Sequence, residues 1–440
     1  MRIIILFTAL CALGTVMAEE TQLTFSAKNH NLDNNDNFSP DDTKLVYDTR
    51  GELGPGIGNS QTIEMVDLAS GAETILYKPK NTILSPDESA SAPGVGAVSF
   101  HPKEDKVIFI HGPFVEEIEA RGYYRKPNRK GAIVPADGSM DLTWADARDT
   151  STDGPTTPGA HRGGTHRHEW TLSGNRIGFT YDDVILTQYD RTVGYMEPNA
   201  KAPEGATHYF ANLVSVVPKG TSKPGEIEKA FGDSWVGPQG EMRGFTGTVR
   251  QEDGSYEDCL FVIDLPLSVD ITTADSGGPD RFPAPPEGVS IRRLTHTWAG
   301  GVIRGSHDGR WIAYLGKDAN DVQQLFIIDA HGSDKSDDPA LRPRQLTDLA
   351  EGVDIYFRWH PEGQYLCGVS EGGIFKVDLE DGKLSFLTPK ADGEPRLNLV
   401  FSHDGKVLAY NRAMATTDTG VEAATNYDGT DFLQIFTLKP

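Results

Sequence analysis

Phe401-Ser-His-Asp-Gly-Lys-Val-Leu-Ala-Tyr410 decides how the whole chain is read. An aromatic residue ends one run, a Ser-His-Asp-Gly turn follows, and a second alternating run ends on another aromatic. Gly and Asp tolerate the unusual backbone angles of a tight connection, and period-two alternation places every second side chain on one face, so the stretch reads as a β-hairpin. The same grammar recurs in Phe38-Ser-Pro-Asp-Asp-Thr-Lys-Leu-Val-Tyr47, Phe100-His-Pro-Lys-Glu-Asp-Lys-Val-Ile-Phe109 and Trp170-Thr-Leu-Ser-Gly-Asn-Arg-Ile-Gly-Phe179. Trp359-His-Pro-Glu-Gly363 keeps the first half, and Gly305-Ser-His-Asp-Gly-Arg-Trp-Ile-Ala-Tyr314 lacks the leading aromatic. A degenerate seventh copy begins near Phe245, around Glu252-Asp-Gly254.

A third strand follows most copies, as in Glu64-Met-Val-Asp-Leu68, Leu260-Phe-Val-Ile-Asp264, Leu325-Phe-Ile-Ile-Asp329 and Ile374-Phe-Lys-Val-Asp378. A fourth ends in a Leu-Thr pair at Leu294-Thr295, Leu346-Thr347 and Leu387-Thr388. Repeated four-stranded antiparallel units describe the blades of an all-β, single β-propeller. The count is seven blades; discounting the degenerate copy gives six with a large insertion as the alternative. Gln22-Leu-Thr24 is a fourth-strand sequence standing alone before the first hairpin, whereas Phe432 to Leu438 is a third strand with no fourth after it. The N-terminal strand is therefore expected to complete the last blade and close the ring, which removes the free edges of an open array. Three stretches, 112–164, 190–244 and 266–288, interrupt the spacing and read as loops.

The chain's first residues carry a secretory signal: Arg2, then an apolar stretch from Ile3 to Val16, then Val16-Met-Ala18 as a small-residue cleavage pattern. The mature domain is expected to run from Glu19 to 440 and to be periplasmic or secreted, with no membrane span. Cys259 and Cys367 then remain, each in an apolar strand-like run, where they read as small buried hydrophobes; a bridge is allowed but not required. With 41 Lys and Arg against 64 Asp and Glu, the formal net charge is -23. That field repels phosphate backbones and anionic lipid, so nucleic acid is excluded as a partner. An acidic ligand would need a local cluster of Arg and His. A carbohydrate or protein ligand and a monomeric state are expected.

Inner strands line a propeller's channel, so the polar residues just before each repeat aromatic are the candidate ligand contacts: Asn35, His166, His168, Arg304, Arg358 and Asn398. His166 and His168 stand two apart, on one face of a strand, which suits metal ligation or a base beside a carboxylate. Arg162, Arg304 and Arg358 could clamp a carboxylate bidentately. His101-Pro102 and His360-Pro361 occupy the hairpin position held elsewhere by Ser and belong to the repeat grammar. Asp33-Asn-Asn-Asp-Asn37 alternates oxygen ligands like a calcium loop, but Phe38 stands where the loop needs glycine. Neither a Gly-x-Ser-x-Gly elbow nor a phosphate loop, dinucleotide fingerprint or zinc Cys pair occurs.

Segments spread over nearly the whole mature chain resemble the YidR-like bacterial proteins in the same order. They include Lys28-Asn-His-Asn-Leu32, Phe109-Ile-His-Gly-Pro113, Arg162-Gly-Gly164 with His166 and His168, Phe179-Thr-Tyr-Asp182, Trp235-Val-Gly237 and Arg292-Arg-Leu-Thr295. The resemblance implies TolB-type propeller repeats and no particular activity. Blades two and three look more distantly like the oligogalacturonate lyases. His111-Gly-Pro113 is similar to their His-Glu-Gly-Pro corner, and His166-Arg-His-Glu-Trp170 to their His-Glu-aromatic strand. Where those enzymes take a divalent metal, Mn or Ca, from His-Pro-His, this chain has Gly301-Val-Ile-Arg-Gly305, with His296 upstream as a stand-in. The lyase likeness implies His111, His166 and His168 as catalytic candidates and His166, His168 and His296 as metal candidates. Two readings result. The first is an exported propeller that binds a polymer, oligosaccharide or envelope protein at its channel mouth. The alternative is a carbon-oxygen lyase acting on uronate oligosaccharides by β-elimination.

Overall fold

The repeat works because side chains stand in for backbone partners at fixed places. In the computed structural model, which describes residues 17–32, 36–50, 56–86, 88–390, 395–414, 417–418, 421–422 and 432–440, the recurring hairpin turns at Ser39, His101, Ser306, His360 and Ser402 are pinned from inside. Ser39, Ser306 and Ser402 donate to the Asp two residues on, and their hydroxyls accept the N–H of Lys44, Trp311 and Val407. His101 Nδ1 and His360 Nδ1 accept turn N–H groups instead, from Lys103, Glu104 and Glu362. The Leu-Thr pairs have an equally specific job. The hydroxyls of Thr295, Thr347 and Thr388 accept the N–H of Leu260, Leu325 and Ile374, continuing the sheet where the backbone ladder stops.

Seven blades result. Their inner strands in blades 2 to 7 are Val95–Phe100, Gly164–Trp170, Ile227–Val236, Gly300–Gly305, Phe357–Trp359 and Leu397–Phe401. In blades 2 to 6 four antiparallel strands follow chain order outward. Blade 1 has Lys44–Asp48, Ile63–Asp67 and Glu73–Tyr77, with its inner edge held by the bridges Asn31 to Asp48 and Phe38 to Leu45. Blade 7 takes its outermost strand from the other end of the chain: Thr21 pairs with Thr437 and Gln22 with Phe436. Thr24 Oγ1 accepts the Ile435 N–H, the same bond the other Leu-Thr pairs make. The N-terminal closure expected from Gln22-Leu-Thr24 is thus present. Apolar faces pack between neighbouring blades, as where Tyr365, Cys367 and Ile374 meet Leu399, Leu408 and Phe436. Cys259 and Cys367 are free and buried, in blades 4 and 6.

Two expectations are corrected. The blade 4 repeat copy is centred on Trp235-Val-Gly-Pro-Gln-Gly240, between the inner strand and Met242–Arg250, whereas Glu252-Asp-Gly254 turns between the second and third strands. The Gly-Pro turn hid the true copy because Val236 stands where the other copies have Ser, Thr or His. Residues 112–164 and 190–244 are also not loops throughout. Lys130–Pro135 and Thr143–Trp144 are the outer strands of blade 2; Thr192–Pro198, His208–Asn212 and Ile227–Val236 belong to blades 3 and 4. What is extra in the first stretch is a short helical turn, Ile118–Arg121, with flanking 3-10 turns. Residues 1–16, which hold most of the expected signal, and Asp33 to Asn35 lie outside the described residues.

The seam between blades 7 and 1 carries a titratable latch. His403 Nδ1 lies 2.7 Å from Asp42 Oδ1 and Nε2 3.1 Å from Asp36 Oδ2. Burial opposes the charged ring, but the two carboxylates outweigh it and hold its pKa up at about 9. A folded-state pKa above the ordinary value near 6.5 gives stability that is full below about pH 6.5 and fades as pH rises through 9. Chemical unfolding at pH 6.5 and pH 10 is expected to show His403→Gln costing about 2 kcal/mol at the lower pH and little at the higher. An equal cost at both values would show that the latch is not ionic.

Candidate functional site

Five inner strands break register at one level. The shifts fall between Gly96 and Ser99, His166 and Glu169, Phe231 and Ser234, Gly300 and Arg304, and Leu397 and Val400. Each bulge holds a left-handed residue: Ala97 (φ 52), Arg167 (φ 59), Gly232 (φ 64), Gly301 (φ 77) and Asn398 (φ 55). For the three non-glycines this conformation costs about 1 kcal/mol each, so it persists only where neighbours enforce it. Asp48 Oδ2, for one, accepts the Ala97 N–H at 2.7 Å. All five residues line a single cavity of about 520 Å³ at the end of the channel where the inner strands begin.

The cavity's charge runs against the chain's composition. Lys126, Arg129, Arg167, Arg191, Arg304 and Arg358 line it, and no carboxylate does among the described lining residues. Lys126 and Arg129 come from the extra turn of blade 2, and Arg129 stacks on Tyr124 with its guanidinium carbon 4.9 Å from the ring centre. Arg191 is paired with Asp182 through Nε and Nη2 at 3.2 and 3.1 Å. The proximity of Arg191, followed by burial, lowers the Lys126 pKa. Arg304 and Arg358 also line a smaller cavity of about 120 Å³ among Trp170, Trp235, Trp359 and Phe401, where the inner strands end. The two arginines therefore stand at the waist between the two ends.

The sequence candidates separate sharply in this frame. His166, Arg304, Arg358 and Asn398 line the cavity. The Asn398 amide is already spent on structure, donating to Asn31 across the seam and to Asn411 in its own blade. His168 does not share a face with His166, because the bulge at Arg167 breaks the alternation on which that expectation rested. It is buried between blades 2 and 3, where its Nε2 meets Thr165 Oγ1 at 3.1 Å. Burial pushes its pKa down to about 4. His111 is likewise buried, bonded to Tyr77 OH at 2.9 Å and packed on Trp144, with a pKa lowered to about 4 by burial. His296 is held by Asp334 at 2.9 Å, away from both. Arg162 is buried and donates to the Gly278 carbonyl, tying blade 3 to the proline-rich loop. Among the described residues no three His, Cys, Asp or Glu side chains are grouped to hold a metal ion, so His166, His168 and His296 form no such set.

Among the described residues His166 is the one histidine lining the cavity. It bonds Thr180 Oγ1 through Nδ1. Burial, then Arg191 and Arg129, hold its pKa well below the ordinary range, so it is neutral. The cavity can thus bind negative charge and offers one neutral imidazole. Sequence reasoning missed Lys126, Arg129, Arg167 and Arg191. A signal existed for two of them, since Arg121-Gly-Tyr-Tyr-Arg-Lys-Pro-Asn-Arg-Lys130 holds five cations and no acid in a strongly acidic chain.

Residues 94–208, which include much of this wall, match the model of a protein of unknown function (DUF3748). In fold, the chain is similar to a chain of a mitotic checkpoint complex, with TM-score 0.50, 10% identity and coverage of 99% of this chain and 96% of that one. It is also similar to a puromycin-hydrolyzing peptidase of Mycobacterium tuberculosis, with TM-score 0.49 and 12% identity over 88% of this chain; it spans only 49% of the peptidase's length. In sequence, it is 31% identical over 420 residues to the uncharacterized protein YidR of Escherichia coli strain K12, covering 88% of this chain and 94% of that protein. The chain belongs to the family of YidR.

Proposed function

We propose that the chain is an exported, monomeric propeller that captures a polymer, an oligosaccharide or a segment of an envelope protein at its channel mouth without transforming it. The observation that carries this reading is the cavity of about 520 Å³ walled by the bulged inner strands, a volume in the range of small-ligand sites. Two of the three histidines a lyase would use lie in the packed interior, beyond reach of a substrate. Export rests on Arg2, the apolar run from Ile3 to Val16 and the Val16-Met-Ala18 pattern. No helix among the described residues is long and apolar enough to cross a membrane. Sequencing the exported protein's N-terminus is expected to begin at Glu19.

A second reading, a lyase-like enzyme on uronate oligosaccharides, is favoured by His166, a neutral imidazole in the same cavity as Arg304 and Arg358. β-Elimination needs such a base beside a held carboxylate. One experiment separates the two: titrating the protein calorimetrically with oligogalacturonate, a neutral oligosaccharide and peptidoglycan fragments, while following ultraviolet absorbance of unsaturated product. Binding heat from at least one ligand with flat absorbance is expected. Absorbance that grows and is abolished by His166→Ala would replace the binder with the lyase. No heat from any of them would remove the channel-mouth reading.

A further inference from the structure

We propose that the channel-mouth cavity is an oxyanion site whose ligand carries at least two negatively charged groups, carboxylate or phosphate, recognised by Arg129 and Arg167 at the mouth and by Arg304 and Arg358 at the waist. This rests on the cavity being the ligand site and deepens that reading by naming the ligand's chemistry.

Three independent observations carry it. The first is charge: six cations and no carboxylate line the cavity among the described residues, in a chain of net charge -23. Like charges gathered around one space repel one another unless an anion joins them. Arg191 has that repulsion relieved by a direct carboxylate partner, Asp182.

The second is Arg129 itself. Its side chain is buried, with the residue only 6% exposed, and its Nε has no hydrogen-bond partner. A guanidinium is permanently charged, and leaving a buried N–H of it unsatisfied is expensive unless something else arrives to accept it. Stacking on Tyr124 fixes the plane of the fork before any ligand is present, so little side-chain freedom is lost on binding.

The third is backbone strain. Arg167 is held left-handed in a bulge, at a position where blades 4 and 5 carry Gly232 and Gly301. A glycine would relax the strand, yet a long cationic side chain occupies the position and lines the cavity. Strain of this kind is maintained where a side chain must point somewhere a regular strand would not send it. The waist arginines lie deeper, where the inner strands of blades 5 and 6 pass between the two cavities. Cations at two depths match a ligand with two anionic groups better than a single small ion. The acidic surface repels such a ligand at long range, so affinity must come from the site and not from steering.

The test is calorimetric titration of the full-length mature protein with tripolyphosphate, with tricarballylate and with neutral maltotetraose, at low and moderate salt. At least one polyanion is expected to bind, more weakly at higher salt, and Arg129→Gln and Arg167→Gln are each expected to weaken it about tenfold or more, the scale of a lost charge-assisted bond. Arg310→Gln, on an exposed hairpin, is expected to change nothing, and unaltered circular dichroism would confirm folding of every variant. Whichever polyanion binds identifies the group as phosphate or carboxylate. Binding of maltotetraose alone would overturn the oxyanion site and leave the channel-mouth reading standing. Polyanion binding unaffected by either arginine variant would overturn the proposal as well, and binding of none of the three would remove both.

Discussion

Arg243→Ala is expected to lower the unfolding free energy by about 3–5 kcal/mol, read from the denaturant midpoint at constant slope. Arg243 is 1% exposed, on the second strand of blade 4. Its Nε donates to Asp233 Oδ2 at 2.7 Å and its Nη1 to Glu169 Oε2 at 2.9 Å, so one guanidinium joins carboxylates of blades 3 and 4. Its Cζ lies 4.5 Å from the centre of the Trp235 ring, whose Nε1 donates to the Glu169 carbonyl. Gly178 makes room for it, since a Cβ there would sit 2.0 Å from Cζ. Cutting the side chain back to Ala removes the shared cation and leaves two carboxylates shut away from water, together with a cavity beneath Trp235. Uncompensated buried charge is what makes breaking such a network costly, far beyond the small value of an exposed ion pair. Lys in its place should recover only part of the loss, because an ammonium cannot present the flat fork that serves two acceptors and stacks on indole. A loss below about 1 kcal/mol for the Ala variant would mean that water reaches both carboxylates.

The repeat was legible because its chemistry is local. Ser402, Asp404 and Gly405 build a turn from residues adjacent in sequence, and Thr295, Thr347 and Thr388 each replace a single ladder bond. The lone Thr24 could be read as the missing fourth strand for the same reason. Blade 4 was misplaced by one strand because Trp235-Val-Gly-Pro-Gln-Gly240 makes its turn with other residues. The site was less legible because it depends on departures from strand regularity. One extra residue reverses every side chain beyond it, so the bulge at Arg167 sends His166 to the cavity and His168 to the interior, although the two look equivalent by spacing. Arg304 and Arg358 were found because they lie on inner strands. Arg129 was not, because it reaches the cavity from a turn between the second and third strands of blade 2, where no repeat rule applies.

Removing residues 19–24 is expected to destabilise the ring by about 5 kcal/mol or more, the largest effect of any change considered. The loss has three parts. The backbone pairing of Thr21 and Gln22 with Thr437 and Phe436 disappears, with the Leu23 N–H bond to the Ile435 carbonyl and the Thr24 hydroxyl bond to the Ile435 N–H. Each such bond is worth about 1 kcal/mol. Glu20 goes too, and with it the fork that Arg396 makes at 2.7 and 2.6 Å and the Tyr410 hydroxyl bond at 2.5 Å. Arg396 is 0% exposed, so losing the Glu20 carboxylate takes a charged partner from a cation shut away from water, although the carbonyls of Gly372 and Pro389 still accept from it. Finally, Phe432–Leu438 becomes a free edge strand, a template for pairing with a second chain. Truncation should therefore lower the thermal midpoint and also shift the protein to dimers or larger species on size exclusion. A peptide of residues 19–28 added in excess should reverse both by occupying the vacated edge, as expected for a ring whose ends are held by pairing and not by a covalent bond. A truncated chain that stayed monomeric with an unchanged midpoint would show that the blade interfaces alone hold the ring closed, and that the N-terminal strand only covers an edge.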